Sequence, residues 1–141
     1  MTAPSRPRKP MRILVIDDDP CVCEVVARYL QADRHSVVLA ANGKEGLKKF
    51  CKGGFDLVIT DRAMPTVSGD QVAAEIKRLS PATPVILLTG FGEIMEFADC
   101  LPPVVDLIVS KPLTLDEFRN TIGRLMRRVA KRNAKRNRKK A

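Results

Sequence analysis

Two patterns in the sequence predict an α/β fold with a doubly wound parallel sheet. Five short apolar runs, at 13–16, 37–40, 57–59, 85–88 and 105–109, alternate with five segments of helical periodicity. The runs are mostly β-branched and apolar at successive positions, as strands buried on both faces of a parallel sheet are. Strand and helix in strict alternation imply right-handed crossovers, with helices on both faces of the sheet.

Each element has its own local reason. Ile13 to Ile16 form the first strand, and Asp17-Asp18-Asp19-Pro20 follows at once. Proline suits the first turn of a helix, with Asp19 as its N-cap. Val22, Val25, Val26, Tyr29 and Leu30 then recur at helical spacing, so a helix is predicted over about 20–32. Val37 to Ala40 is the second strand. Asn42-Gly43 opens a helix with Leu47, Phe50 and Cys51 on its apolar face, and Gly53-Gly54 ends it. The third strand, Leu57 to Ile59, runs into Asp61 and a loop marked by Pro65. A helix over 69–79 should turn Val72, Ala73, Ile76 and Leu79 inward, until Ser80-Pro81 stops it. Val85 to Leu88 is the fourth strand. A short helix is expected over 93–100, broken by Pro102-Pro103, before the fifth strand at Val105 to Val109. Thr114 and Glu117 make a capping-box pattern for a last helix. Its apolar stripe is Leu115, Phe118, Ile122, Leu125, Met126 and Val129, and it has scope to extend into the basic segment beyond.

Bulk properties narrow the classes. The 141 residues, 45% hydrophobic, suffice for one domain with a full core. No apolar run reaches the roughly 18 residues of a membrane span, and no signal-peptide core follows the basic start, so a cytoplasmic protein is expected. The net charge of +9 is unevenly spread. All 16 acids fall in 13–123 against 11 Lys and Arg, so the middle carries −5 and the two ends together +14. The expected organisation is a disordered basic arm over 1–10, one domain over 11–129 and a basic tail over 130–141. Cys21, Cys23, Cys51 and Cys100 lack metal-ligand spacing and read as small core-filling residues. His35 reads as a solvated turn residue.

The chemistry lies where the strands end. Asp17 and Asp18 end the first strand, Asp61 the third, Thr89 the fourth and Lys111 the fifth. In a parallel sheet all C-terminal ends lie on one edge, where such sheets place their ligands. Three carboxylates there repel one another, and a hard divalent cation relieves the repulsion; Mg²⁺ needs only a few protein oxygens because it keeps several waters. Carboxylate nucleophile, Mg²⁺, a lysine ammonium and a hydroxyl donor together describe phosphoryl transfer to an aspartate.

With these residues in place, the chain resembles a receiver domain of the two-component response regulators over about residues 11–125. The motifs are Ile-Leu-Val-Ile-Asp-Asp-Asp at 13–19, Leu-Val-Ile-Thr-Asp-Arg-Ala-Met-Pro at 57–65 with Gly69, Leu-Leu-Thr-Gly at 87–90 and Val-Ser-Lys-Pro at 109–112. The resemblance implies a flavodoxin-like (βα)5 sheet of order 2-1-3-4-5. It implies that Asp61 takes the phosphoryl group and that Asp18, Asp61 and the Ala63 carbonyl bind Mg²⁺, with Asp17 acting through water or as a weaker ligand. Thr89 and Lys111 would contact the phosphoryl oxygens, and the Lys111-Pro112 bond would be cis. It implies a phosphoacceptor signalling domain, with only self-catalysed phosphorylation and dephosphorylation, rather than an enzyme. The partners implied are a sensor histidine kinase or a histidine phosphotransfer protein, and the stretch around Lys111 is similar to receivers associated with hybrid sensor kinases. Where the family places a switch aromatic, three positions before the lysine, this chain has Ile108.

Other readings attach to particular residues. Residues 124–141 hold ten Lys and Arg and no acid. They read as a solvated charge run, as an arm for non-specific nucleic acid or another polyanion, or as a segment folding back on the acidic edge. Haloacid dehalogenase-like phosphatases also use a strand-end Asp, and Asp17-x-Asp19 is similar to their opening motif. Cys21 departs from that motif, and no acidic pair ends a strand after Lys111.

Overall fold

In a computed structural model of the protein, residues 9–90, 107–111 and 114–140 are described. The elements are β1 (Arg12–Ile16), α1 (Pro20–Ala32), β2 (Ser36–Ala40), α2 (Gly43–Phe50), β3 (Leu57–Asp61), α3 (Gly69–Leu79), β4 (Val85–Thr89), β5 (Leu107–Ser110) and α4 (Leu115–Lys140). The strands form one parallel sheet of order β2-β1-β3-β4-β5. The arm at 1–8, the helix expected over 93–100 and the Lys111-Pro112 bond lie outside the described residues.

Alternation along the strands explains why both faces are apolar. Ile13, Val15, Leu57, Ile59, Ile86 and Leu88 pack with Val26 and Leu30 of α1 and with Phe118, Ile122, Leu125 and Val129 of α4. Leu14, Ile16, Val58, Val85 and Leu87 point the other way, toward Phe50 of α2 and Val72, Ala73 and Ile76 of α3. Successive side chains leave a strand on opposite faces, so a strand covered on both sides must be apolar throughout. At about 1.5–3 kcal/mol per fully buried large aliphatic side chain, these two layers dominate the favourable side of folding.

The caps form as their sequences require. The Asp19 carboxylate accepts from the Cys21 N–H at the start of α1. Asn42 caps α2 by accepting from the Glu45 N–H. Ser68 and Gln71 form a reciprocal capping box at α3, and Thr114 and Glu117 do so at α4.

Three expectations are corrected, and one reading of the basic segment is set aside. His35 is buried, and its Nδ1 accepts from the Met11 N–H at 3.0 Å, tying the turn after α1 to the start of β1. Of the described cysteines only Cys23 is a core residue; Cys21 and Cys51 are exposed, because each sits on the outer side of its helix end. Leu79 is 43% exposed, since it ends α3 beyond the edge of the sheet. Finally, the basic segment does not turn back over the acidic edge. α4 starts at the strand C-termini and runs back toward the strand N-termini. Val129, Ala130 and Asn133 there share a cleft with Met11, Asp56 and Pro84, which precede or begin β1, β3 and β4.

Candidate phosphoacceptor site

The parallel sheet brings the ends of β1, β3, β4 and β5 to one edge. Asp17 follows β1 and is 1% exposed, and Asp61 ends β3 and is 6% exposed. Asp18 is exposed beside them. One carboxylate oxygen from each of the three lies within 4.8 Å of the others. Lys111 Nζ reaches in from the end of β5, 3.0 Å from Asp17 Oδ2 and 3.0 Å from Asp61 Oδ1. Its own backbone N–H donates to the Thr89 carbonyl at 2.8 Å, which fixes the strand end carrying it.

Asp17 has little capacity left. Its Oδ1 accepts from the Asp19 N–H at 2.9 Å and its Oδ2 accepts from Lys111. The buried Cys23 thiol donates to the Asp17 carbonyl at 3.3 Å and holds that corner from behind. Asp18 faces solvent, and Asp61 has one oxygen not engaged by Lys111. Ala63 is exposed in the loop after β3. Thr89 is fully buried, and its Oγ1 has no hydrogen-bond partner among the described residues. An unsatisfied buried hydroxyl is costly unless a ligand supplies the missing bond.

The electrostatics are those of an underneutralised anion cluster. Burial pushes the Asp61 carboxyl up; its hydrogen bond to Lys111 pulls it down, and the nearby Asp17 charge pushes it up again, leaving a net rise. For Lys111, burial works to lower the pKa, but hydrogen bonds to Asp17 and Asp61 outweigh it and the ammonium is held. Both shifts are consistent because one ammonium is shared between two buried carboxylates with a third close by. Ionised, the three carboxylates and the lysine sum to −2, the charge that a hard divalent cation would cancel. All the donors are oxygens, so the residues present fit Mg²⁺.

The loop after Asp61 is fixed tightly. The Arg62 N–H donates to the Leu88 carbonyl at 2.9 Å, and the Arg62 carbonyl accepts from the Gly69 N–H at 2.9 Å. The Arg62 side chain pairs with Asp70 at 3.1 Å. A Cβ on Gly69 would stand 2.2 Å from the Asp61 carbonyl oxygen and 2.8 Å from the Arg62 Cα. Thr66 takes φ 70°, an unusual conformation for a β-branched residue, with the Val67 N–H donating to the Pro65 carbonyl at 2.7 Å.

Of the side chains named from the sequence, Asp17, Asp18, Asp61 and Lys111 come together, and Thr89 ends β4 on the same edge; sequence reasoning missed Cys23, the Arg62–Asp70 pair and the supporting role of Gly69. Gly69 was legible as an unexplained glycine directly after a helix cap. The other two depend on tertiary placement. Ile108 is half-buried and packs against the α2–α3 layer, filling the position of the family's switch aromatic with an aliphatic group. Asp116 and Glu117 lie in the first turn of α4, not at a strand end.

The family model described as the response regulator receiver domain matches residues 13–123. The transcriptional regulatory protein GlrR of Escherichia coli is 35% identical over 114 residues, covering 81% of this chain and 26% of that protein. The transcriptional regulatory protein TcrA of Mycobacterium tuberculosis is 32% identical over 118 residues, covering 84% of this chain and 47% of its own length. The chain thus spans between about a quarter and a half of these relatives. Among solved structures, the response regulator protein TrrA of Thermotoga maritima, in complex with Mg(2+)-BeF, superposes with a TM-score of 0.74 at 37% identity, covering 82% of this chain and 98% of that one. With the sheet order, the acidic edge and these matches in agreement, the chain belongs to the response regulator receiver domain family.

Proposed function

We propose that Asp61 accepts a phosphoryl group from a phosphohistidine and that the resulting acyl phosphate changes which partner the domain binds. The observation that carries this reading is Lys111 Nζ lying 3.0 Å from both Asp17 and Asp61 while a third carboxylate stands within 4.8 Å. An Asp61 oxygen attacks phosphorus in line; the P–N bond breaks and its electron pair returns to the imidazole, leaving a mixed anhydride on Asp61. Lys111 is placed to turn from its carboxylate partners to the incoming phosphoryl oxygens. Thr89 Oγ1, buried with no partner among the described residues, would donate to one of them.

Asp18, Asp61 and the Ala63 carbonyl would hold Mg²⁺ directly. Asp17, with both oxygens already accepting hydrogen bonds, would act through a water. Bound there, the ion would neutralise charge on the phosphoryl oxygens. Receiver domains work with histidine kinases or histidine phosphotransfer proteins, and one of these is the proposed donor. The domain turns over no separate substrate; it catalyses only its own phosphorylation and hydrolysis, and a cytoplasmic setting suits that role. Among the described residues, no helix is long and apolar enough to cross a membrane.

Borohydride converts an aspartyl phosphate to homoserine. Peptide mapping after phosphorylation and reduction should place homoserine at position 61; homoserine at position 17 or 18 instead would refute the assignment.

A further inference from the structure

α4 carries a feature that the phosphoryl chemistry does not use. It continues past Val129, its last buried residue among those described, to Lys140. After Glu117 the sequence contains no Asp or Glu, so from Arg124 onward no carboxylate of the helix lies one turn away to balance its cations. Arg124, Arg127, Arg128, Lys131, Arg132 and Lys135 are all exposed. At 3.6 residues per turn these six lie within an arc of about 140°, clear of the stripe that packs on the sheet. They form a ridge roughly 17 Å long. Among the described residues, Arg124, Arg127, Arg128, Lys131 and Lys135 take part in no ion pair. The ridge points past the strand N-termini, at the opposite edge from Asp17 and Asp61.

We propose that this ridge is a binding surface for duplex DNA, read through its phosphates. The charge calls for a polyanion, and three observations choose among polyanions. An interfacial membrane helix needs an apolar face opposite its cations. Here the apolar stripe is buried against the sheet, and residues 130–135 are Ala, Lys, Arg, Asn, Ala and Lys. Single strands are held by stacking on aromatic rings, and no aromatic follows Phe118. The A-form major groove of an RNA duplex is too narrow for a helix, whereas the B-form groove, about 12 Å wide, admits one of about 10–12 Å diameter. A basic helix running on from a folded body is also the geometry by which continuous basic regions enter that groove. Phosphate contacts carry no sequence information, so binding by this ridge is sequence-neutral. The surface is separate from the phosphoryl site and stands or falls independently of it.

Fluorescence anisotropy of the full chain with a labelled mixed-sequence duplex of about 24 base pairs tests the proposal. With six phosphate contacts, affinity should fall about 10³-fold between about 50 and about 200 mM salt. Combining Arg128→Gln, Lys131→Gln and Lys135→Gln should make the slope of log affinity against log salt shallower by about 3. Glutamine keeps helix propensity close to that of the cations it replaces, and circular dichroism checks the fold. Absence of binding at low salt, or an unchanged slope in the folded triple variant, would overturn the proposal. So would tighter binding to phosphatidylserine–phosphatidylcholine vesicles, or equal binding to an RNA duplex of the same length.

Discussion

Replacing Gly69 by alanine should damage both the fold and the phosphoacceptor loop. The new Cβ would meet the Asp61 carbonyl oxygen at 2.2 Å, the Arg62 Cα at 2.8 Å and Leu87 Cδ1 at 2.8 Å. Ordinary van der Waals contact starts more than an ångström beyond the first of these distances. The leucine methyl can rotate away, but the two backbone atoms cannot. They are held by the Arg62 N–H bond to Leu88 and the Gly69 N–H bond to the Arg62 carbonyl. Overpacking of this kind costs about 1–3 kcal/mol, and immobile neighbours put it toward the upper end. Alanine returns at most about 0.5–1 kcal/mol of backbone entropy, so a net loss near 2 kcal/mol is expected. With a urea slope of about 2 kcal/mol/M, the unfolding midpoint should fall by about 1 M. Gly123→Ala is the control: it lies inside α4, and the nearest atom to its new Cβ is Arg127 Nη1 at 3.9 Å. That variant should gain about 0.5–1 kcal/mol. Equal midpoints for Gly69→Ala and wild type would refute the packing reasoning.

Three further outcomes follow from the same geometry. Because burial and Asp17 hold the Asp61 carboxyl above its ordinary range, ionised Asp61 destabilises the fold at neutral pH. Asp61→Asn should therefore be more stable than wild type in metal-free buffer, and the gap should close as pH falls through the raised pKa toward about 3.9; denaturation at stepped pH measures it. His35 is held below its ordinary pKa by burial, against an opposing effect of Asp33, so the unfolded chain binds its proton first. Stability should start to drop as pH falls through about 6.5, and His35→Gln should flatten that part of the profile. Arg119 donates to both oxygens of the buried Asp33 at 2.7 Å, joining the end of α1 to α4. Its side chain keeps 21% exposure, so Arg119→Ala should cost about 2 kcal/mol in urea rather than the larger loss of a fully buried pair.

The central strands were legible because burial on both faces keeps them apolar nearly to their C-terminal ends. For the same reason the polar residues that close the apolar runs, Asp17, Thr60-Asp61, Thr89 and Ser110-Lys111, mark the edge. Asp17, Asp18, Asp61 and Lys111 are brought together there. What escaped was decided by tertiary neighbours. His35 looks like a turn residue, yet it is buried because the Met11 N–H needs an acceptor where β1 begins. Cys21 and Cys23 are equally small and apolar, and only the helix phase separates the exposed thiol from the one behind Asp17. Nothing in the composition of the basic segment revealed that it runs away from the acidic edge. That follows from α4 being continuous from the site edge to Lys140.

The central claim is that Asp61 accepts a phosphoryl group in a metal-dependent reaction that Lys111 assists. Intact-mass analysis after incubation with acetyl phosphate, with and without Mg²⁺, tests it most directly. The account predicts a Mg²⁺-dependent gain of one phosphoryl group in the wild type, none in Asp61→Asn, and a much reduced gain in Lys111→Ala. An equal gain in Asp61→Asn, or in the wild type without Mg²⁺, would contradict it.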